Sequence, residues 1–132
     1  DTIVPEIETA GEAGAAESIE HAAPLPAFDR QTLSDRFGGD EELMAMVIDS
    51  FLSEAPELMT ALSRAVQDSD MEEMRVRAHA LKGTAANVNA ERLRNVSFEL
   101  ENAARQEDIS LFKPLFEKVE KELNRFVDKV SG

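Results

Sequence analysis

Residues 70–89 read DMEEMRVRAHALKGTAANVN, and this stretch decides the fold. Asp70 is a residue type that caps helix N-termini, and the asparagines at 87 and 89 are of a type that ends helices. Between them, apolar side chains recur at spacings of four and three residues, at Met74, Ala78, Leu81, Ala85 and Val88. This period predicts a helix with one apolar stripe, whose small alanines permit close approach of a neighbouring helix in a bundle.

The same helical period continues on both sides of this stretch. Gly38-Gly39-Asp40 interrupts the chain and caps a long helix, in which Pro56 predicts a kink or a break. A shorter helix is expected over 31–37, one starts near residue 90, and the last runs from about 109 to 130. The predicted buried positions of these long helices are Leu43, Val47, Phe51, Ala55, Leu58, Leu62 and Ala65, then Leu93, Val96, Leu100 and Ala104, then Phe112, Phe116, Val119, Leu123, Phe126 and Val130. No segment alternates with a period of two residues. We therefore predict an all-α fold, an antiparallel up-and-down four-helix bundle with a short extra N-terminal helix.

The chain divides near residue 28. Residues 1–27 carry six acidic side chains and no Lys or Arg, and Ala, Gly, Pro and Glu dominate the segment. Such a segment buries too little apolar surface to offset the entropy lost on ordering it. We predict a disordered acidic linker over 1–27 and a helical domain over 28–132. The first residue is Asp rather than Met, which indicates a piece of a longer protein.

Composition excludes several classes of function. The 132 residues include 27 acidic and 14 basic side chains, and the formal net charge of −13 argues against general binding to nucleic acid or anionic lipid. The absence of cysteine excludes disulfides, thiol nucleophiles and zinc sites built from cysteine. No apolar stretch approaches the ~20 residues of a membrane span, and no signal peptide opens the chain. A soluble, cytoplasmic protein is expected.

His79 is the strongest candidate for chemistry. It follows the core position Ala78, so it lies at the edge of the buried face and points outward, with Arg75, Lys82 and Gly83 as helical neighbours. A neutral imidazole is a nucleophile, and its phosphorylation would place about two negative charges within reach of the Lys82 ammonium. Glycine inside a helix costs about 1 kcal/mol relative to alanine, and at 83 it would leave room for the phosphoryl group and its donor. Close helix packing is the alternative explanation for Gly83, and plain solvation is the alternative for Lys82.

The charge around His79 differs from that of the remaining chain. Residues 75–94 hold five basic side chains and one acidic side chain, whereas the remainder holds 9 basic and 26 acidic ones. This pattern favours a positive landing site for an acidic partner, with Arg75 as electrostatic support, although chance clustering would also explain it. Ala86 is a further expected partner contact, and Phe98 is either a partner contact or part of the core. An apolar docking patch near His79 is expected from Met44, Met46 and Ile48.

The run His79-Ala80-Leu81-Lys82-Gly83, flanked by small residues, resembles the motif of the histidine-containing phosphotransfer (HPt) family. Segments 51–58 and 100–105 are similar to the neighbouring helices of that family, so the resemblance covers about residues 28–130. It implies a four-helix bundle in which His79 is phosphorylated at Nε2, Lys82 steadies the phosphoryl oxygens and Gly83 grants access. One position departs from the family. Asn89 stands where a second glycine is usual, and asparagine is the best substitute for glycine in a left-handed backbone.

The resemblance also implies a reaction and its partners. In that family the aspartyl phosphate of a receiver domain donates the phosphoryl group, the aspartate of another receiver accepts it, and the receiver holds the Mg²⁺. This sequence has no ATP-binding motif, no Gly-rich phosphate loop and no acidic cluster arranged for a metal. We therefore expect a covalent phosphocarrier rather than a kinase, without a cofactor of its own, that works with response-regulator receiver domains and upstream histidine kinase domains.

Two other functions stay open at this point. One is the phospho-accepting N-terminal domain of a chemotaxis-type kinase, which shares the bundle and the motif. An acidic linker before the bundle favours instead a module at the C-terminal end of a hybrid sensor kinase, which would make it the cytoplasmic part of a membrane-anchored protein. The other is an interaction bundle without phosphate chemistry. A monomer is expected, because one apolar stripe per helix suffices for one bundle.

Overall fold

The computed structural model describes residues 27–131, and within that range it contains helices and turns but no strand. A short helix α1 (Arg30–Arg36) precedes four long ones, α2 (Glu41–Asp68), α3 (Met71–Asn87), α4 (Glu91–Arg105) and α5 (Phe112–Ser131), with a 3₁₀ turn (Ile109–Leu111) before α5. None of these helices is long and apolar enough to cross a membrane. The predicted all-α class is confirmed, and the linker predicted over 1–27 lies, apart from Ala27, outside the described residues.

Aspartates begin the first three helices. The side chains of Asp29, Asp40 and Asp70 each accept a hydrogen bond from the backbone N–H three residues further on, at 3.3, 3.1 and 3.2 Å. Each bond satisfies an N–H that has no partner within its helix. Glutamates in the first turns of α2 and α3 add a favourable interaction with the helix dipole. The caps predicted at Asp40 and Asp70 are confirmed.

The three turns of the bundle share one backbone geometry. Ser69, Asn89 and Glu107 each have a left-handed backbone, with φ of 51°, 56° and 59°. The N–H of the following residue then bonds to the carbonyl five residues earlier, which satisfies a carbonyl at the end of each helix. These bonds are Asp70 to Ala65 at 2.8 Å, Ala90 to Ala85 at 2.9 Å and Asp108 to Ala103 at 2.9 Å. Asn89 thus adopts the backbone for which it was expected to replace glycine.

The four long helices form a closed ring around one core. Each packs against its neighbours in sequence, and α2 also contacts α5. Because the connecting turns are short, successive helices run in opposite directions. The Phe126 ring of α5 lies edge-on to Phe51 of α2 at 4.7 Å and to Phe28 at 5.3 Å between ring centroids. The antiparallel four-helix bundle with a short extra N-terminal helix is therefore confirmed.

Helix α2 differs from prediction in two respects. Met44 is fully buried, whereas Leu43, which was predicted to be buried, is exposed. The reason is geometric, since Met44 lies two helical turns before buried Phe51, while Leu43 is rotated from it by roughly 80°. The predicted break at Pro56 is wrong, because α2 continues through it. A kink there stays a prediction.

Candidate functional site

His79 lies on the solvent face of α3. Its neighbours Ala78 and Leu81 have no exposed surface and hold the opposite face of the helix in the core. The imidazole therefore points outward, and 65% of the side chain is exposed. Arg75, Lys82, Gly83 and Ala86 follow the same side of α3 at helical spacings.

A buried carboxylate from the neighbouring helix lies behind His79. The side chain of Glu101 on α4 is only 2% exposed, and its Oε2 atom lies 2.9 Å from Nδ1 of His79. Its Oε1 atom lies 3.0 Å from Nζ of Lys82. Arg105, one turn further along α4, donates from a guanidinium nitrogen to Oε2 at 3.0 Å. Three side chains from two helices therefore meet at one carboxylate.

The protonation of this cluster identifies the reactive nitrogen. Burial raises the pKa of Glu101, but the hydrogen bonds and charges of Lys82 and His79 outweigh burial and lower the pKa below its ordinary value of 4.5. An ionised carboxylate has no proton to donate, so Nδ1 of His79 is the donor in this contact. In a neutral imidazole the lone pair then belongs to Nε2, on the far side of the ring. Nε2 is thus the ring nitrogen whose lone pair is unshared with a proton in this tautomer.

Lys82 is held between two side chains of α4. Besides the ion pair with Glu101, its Nζ atom lies 5.0 Å from the centroid of the Phe98 ring. Its side chain is 25% exposed. Plain solvation therefore does not describe Lys82. Phe98, whose role the sequence left open, is half-buried and faces this ammonium.

Gly83 borders open space. A Cβ atom added at Gly83 would meet no heavy atom within 4 Å outside the local backbone of its own helix. Nothing packs closely against this position, so close helix packing does not explain the glycine. The surface one turn after His79 is clear, as access by a phosphoryl group requires.

Two of the four predicted partner contacts, Arg75 and Ala86, lie on α3. Arg75 is partly exposed and forms an ion pair with Glu72 at 2.7 Å. Ala86 is half-buried, and its carbonyl accepts a hydrogen bond from Arg36 of α1 at 2.7 Å.

The docking patch predicted from α2 is wrong at Met44, and the partner contact predicted at Ile48 stays a prediction. Met44 is fully buried, so its side chain is unavailable to a partner. Ile48 is half-buried and packs against the core. Counted from the turn that joins α2 to α3, Ile48 lies roughly 18 Å further along the bundle than His79. Of the three predicted residues, Met46 is largely exposed, but it lies on the same distant part of α2.

Ion pairs offset the positive charge counted along residues 75–94. Each of the five basic side chains lies beside a glutamate, and four of those glutamates come from outside the stretch. The pairs are Arg75 with Glu72, Arg77 with Glu73, Lys82 with Glu101, Arg92 with Glu122, and Arg94 with Glu91. The glutamates beside these five side chains therefore offset the positive charge that a count along the sequence gives.

Comparison with known proteins decides the family. The family model described as "Hpt domain" matches residues 46–129. The chain belongs to the Hpt domain family. This Hpt domain is similar to the crystal structure of histidine-containing phosphotransfer protein B (HptB) from Pseudomonas aeruginosa PAO1, with 27% identity and a TM-score of 0.70. The match covers 77% of this chain and 90% of that one.

A second relative comes from Dictyostelium discoideum. The Hpt domain is 23% identical over 104 residues to the phosphorelay intermediate protein rdeA of Dictyostelium discoideum. The match covers 79% of this chain but 41% of the relative, so the chain spans about two fifths of the length of that protein. The resemblance drawn from the motif around His79 is confirmed.

Sequence reasoning missed Glu101 and Arg105 as parts of the site. A signal for Glu101 was present, because it follows the core position Leu100 and lies one turn after Ser97 on the buried side of α4. A carboxylate in such a place needs a partner. The partner of Glu101 depends on how α3 and α4 pack, and their antiparallel packing places the Glu101 carboxylate beside His79. Within residues 27–131, no group of three or more acidic or histidine side chains could hold a metal ion.

Proposed function

We propose that this Hpt domain carries phosphoryl groups on Nε2 of His79, from the aspartyl phosphate of one receiver domain to the aspartate of another. Membership of the family makes histidine phosphotransfer in a phosphorelay its function. The observation that carries the assignment to His79 is the contact of its Nδ1 atom with the buried, ionised Glu101 at 2.9 Å. That contact leaves an exposed ring with its lone pair on the outer nitrogen.

The transfer step balances without loss of a proton from the ring. The lone pair of Nε2 attacks phosphorus, an N–P bond forms, and the P–O bond to the receiver aspartate breaks. The electron pair of that bond remains on the aspartate as a carboxylate. Nδ1 keeps its proton, so the phosphorylated ring is an imidazolium, and the Glu101 carboxylate offsets its positive charge. Attack by a second aspartate on the same phosphorus reverses these changes.

Lys82 and Gly83 serve the phosphoryl group in this proposal. The Lys82 ammonium has three N–H donors and lies one helical turn from His79, so it can donate to phosphoryl oxygens once they are present. The open space at Gly83 admits the group together with the receiver that brings it. Neither role requires a metal ion in this chain, and Mg²⁺ is expected in the receiver.

The partners of Hpt domains in phosphorelays are receiver domains and kinases. We propose that this chain acts as a monomeric phosphocarrier that depends on such partners and has no ATP site of its own. Placement in a hybrid sensor kinase and a cytoplasmic location stay predictions from the sequence.

The test is phosphate uptake from a phosphorylated receiver domain. We expect acid-labile, base-stable label on the wild-type chain and none on His79→Gln. Because the imidazole is largely exposed and Glu101 keeps Lys82 and Arg105 as partners, the free energy of unfolding of His79→Gln should stay within about 0.5 kcal/mol of the wild type. The chain has a second histidine, and His21→Gln is the matched control, which should be labelled like the wild type. Label on His79→Gln would contradict the assignment, and an unlabelled wild type would favour an interaction bundle.

Labelling by a panel of kinase domains tests the remaining alternative, the phospho-accepting domain of a chemotaxis-type kinase. An Hpt domain of the phosphorelay type accepts label from a receiver. The phospho-accepting domain of a chemotaxis-type kinase accepts it from an ATP-binding kinase domain. Label that arrives only from such a kinase domain would overturn the receiver as donor, while His79 would keep its role as acceptor.

A further inference from the structure

The Phe98 ring lies against Lys82, the side chain that serves the phosphoryl group in the proposed function. Phe98 and Glu101 are three residues apart on α4 and so share one face, as His79 and Lys82 do on α3. The two pairs oppose each other across the interface of α3 and α4. Nζ of Lys82 is 3.0 Å from Oε1 of Glu101 and 5.0 Å from the centroid of the Phe98 ring.

These distances describe a cation held over an aromatic face. A lysine side chain has a long flexible stem, and fixing it at one place costs rotamer entropy. The negative face of a phenylalanine ring attracts an ammonium within about 6 Å of the centroid. Phe98 is half-buried, so part of this attraction acts away from water. The ring reduces the number of positions that the ammonium occupies.

We propose that Phe98 is a positioning residue that holds the Lys82 ammonium beside His79 and thereby prolongs the lifetime of the phosphohistidine. This inference rests on the proposed function of His79. Glu101 also holds Lys82 in an ion pair, but its carboxylate competes with phosphoryl oxygens for the N–H donors of the ammonium. The ring attracts the charge as a whole and leaves those donors free. Lys82 can therefore turn its donors from Glu101 to a phosphoryl group while it keeps its contact with Phe98.

The first experiment measures the half-life of the phosphohistidine. Phe98→Leu keeps an apolar side chain but removes the aromatic face, and we expect the half-life to fall about two- to fivefold. Phe98→Tyr retains the aromatic face and should restore the wild-type value. Phe116→Leu is the matched control, because Phe116 is also half-buried but lies on α5, and it should leave the half-life unchanged.

A double-mutant cycle with Lys82 separates positioning from packing. In a Lys82→Ala background the ammonium is absent, so Phe98→Leu should have no further effect on the half-life. An equal loss in both backgrounds would mean that the ring acts through the fold and would overturn the proposal. Equal half-lives of the wild type and Phe98→Leu would overturn it as well. If Phe98→Leu melts below the assay temperature, Phe98→Met serves the same comparison.

A readout that needs no phosphate tests the geometry directly. Protons above an aromatic ring are shifted upfield, so the ε-methylene protons of Lys82 should resonate upfield in the wild type and in Phe98→Tyr. They should return to ordinary lysine positions in Phe98→Leu. Unshifted protons in the wild type would overturn the role of Phe98 whether or not the chain is phosphorylated. Shifted protons in a chain that takes up no phosphate would instead mean that the proposed function has failed.

Discussion

The Glu101 carboxylate is buried and ionised, and side chains of two helices share it. Buried ion pairs contribute little net stability, because desolvation of the charges offsets their attraction, but removal of one partner is costly. At this position the carboxylate has a second effect, since it keeps the proton of His79 on Nδ1. Under the proposed function, Glu101 thus links the stability of the bundle to the reactivity of the exposed nitrogen.

Replacement of Glu101 tests this link through pH. Its folded pKa is lowered, so its stabilising contribution is fully present above 4.5, the ordinary value, and is lost as pH falls through the folded pKa. Urea unfolding at a series of pH values should show a weaker loss of stability in acid for Glu101→Gln than for the wild type. Phosphate uptake by Glu101→Gln at neutral pH should be slower, because an amide no longer selects the tautomer. Identical acid profiles would contradict the assigned ionisation.

Gly83 allows stability and activity to be separated at one position. Apart from its chain neighbours and the backbone of its own helix, a Cβ atom at 83 would meet no heavy atom within 4 Å, and alanine is a better helix former, so Gly83→Ala should raise the free energy of unfolding by up to about 1 kcal/mol. The same methyl group narrows the space beside His79, and Gly83→Leu fills it. The rate of phosphotransfer should therefore be highest in the wild type, lower in Gly83→Ala and lowest in Gly83→Leu. Undiminished transfer by Gly83→Leu would remove access as the reason for the glycine.

The turns at Ser69, Asn89 and Glu107 form the same backbone geometry from three different residue types. All three use a left-handed residue that is not glycine, which costs roughly 1–2 kcal/mol relative to a right-handed residue. Asn89 recovers part of this cost, because its Oδ1 atom accepts a hydrogen bond from Arg36 of α1 at 2.7 Å. Arg36 also donates to the Ala86 carbonyl, so α1 braces the turn that follows the helix of His79.

The turns at Asn89 and Glu107 should therefore respond differently when these residues are replaced by glycine. Glu107→Gly relieves the left-handed backbone of an exposed residue and should stabilise the bundle by about 0.5–1 kcal/mol. Asn89→Gly relieves the same geometry but loses the bond from Arg36, so it should be neutral or destabilising. Urea unfolding of the two variants, with Arg36→Ala as the reference for the lost bond, checks the difference. A larger gain for Asn89→Gly than for Glu107→Gly would contradict this account of the turn.

At the scale of the whole molecule, Phe28 is the first of the described residues that packs against the core. Its ring packs edge-on against Phe126. Asp29 follows it and caps α1. The division of the chain near residue 28, which the composition indicates, stays a prediction.

A pair of changes tests that boundary. Deletion of residues 1–26 should leave the free energy of unfolding within about 0.5 kcal/mol of the full chain, and phosphate uptake should be unchanged. Phe28→Ala should cost roughly 1–2 kcal/mol, since it removes a half-buried aromatic contact. Thermal or urea unfolding of both proteins provides the measurement. A deletion as harmful as Phe28→Ala would place the boundary further towards the N-terminus.

The sequence by itself determined the helices, their caps at Asp40 and Asp70, and the motif around His79. These features depend on local properties, namely the spacing of apolar residues, the cap side chains and the helical spacing of His79, Lys82 and Gly83. At the start of α2, local spacing did not predict which residue is buried, because positions 43 and 44 fit the apolar pattern almost equally well. Packing against the other helices buries Met44 and leaves Leu43 exposed.

Tertiary structure alone decided what stands behind the histidine. Glu101 and Phe98 are remote from His79 and Lys82 in the chain, and they meet only because α3 and α4 pack in antiparallel with one particular register. Of the five ion pairs that offset the positive charge of 75–94, helix packing forms Lys82–Glu101 and Arg92–Glu122, whereas the other three join neighbours within one helix. The tautomer of His79 and the burial of Glu101 depend on which groups become neighbours in space, and no local pattern specifies that.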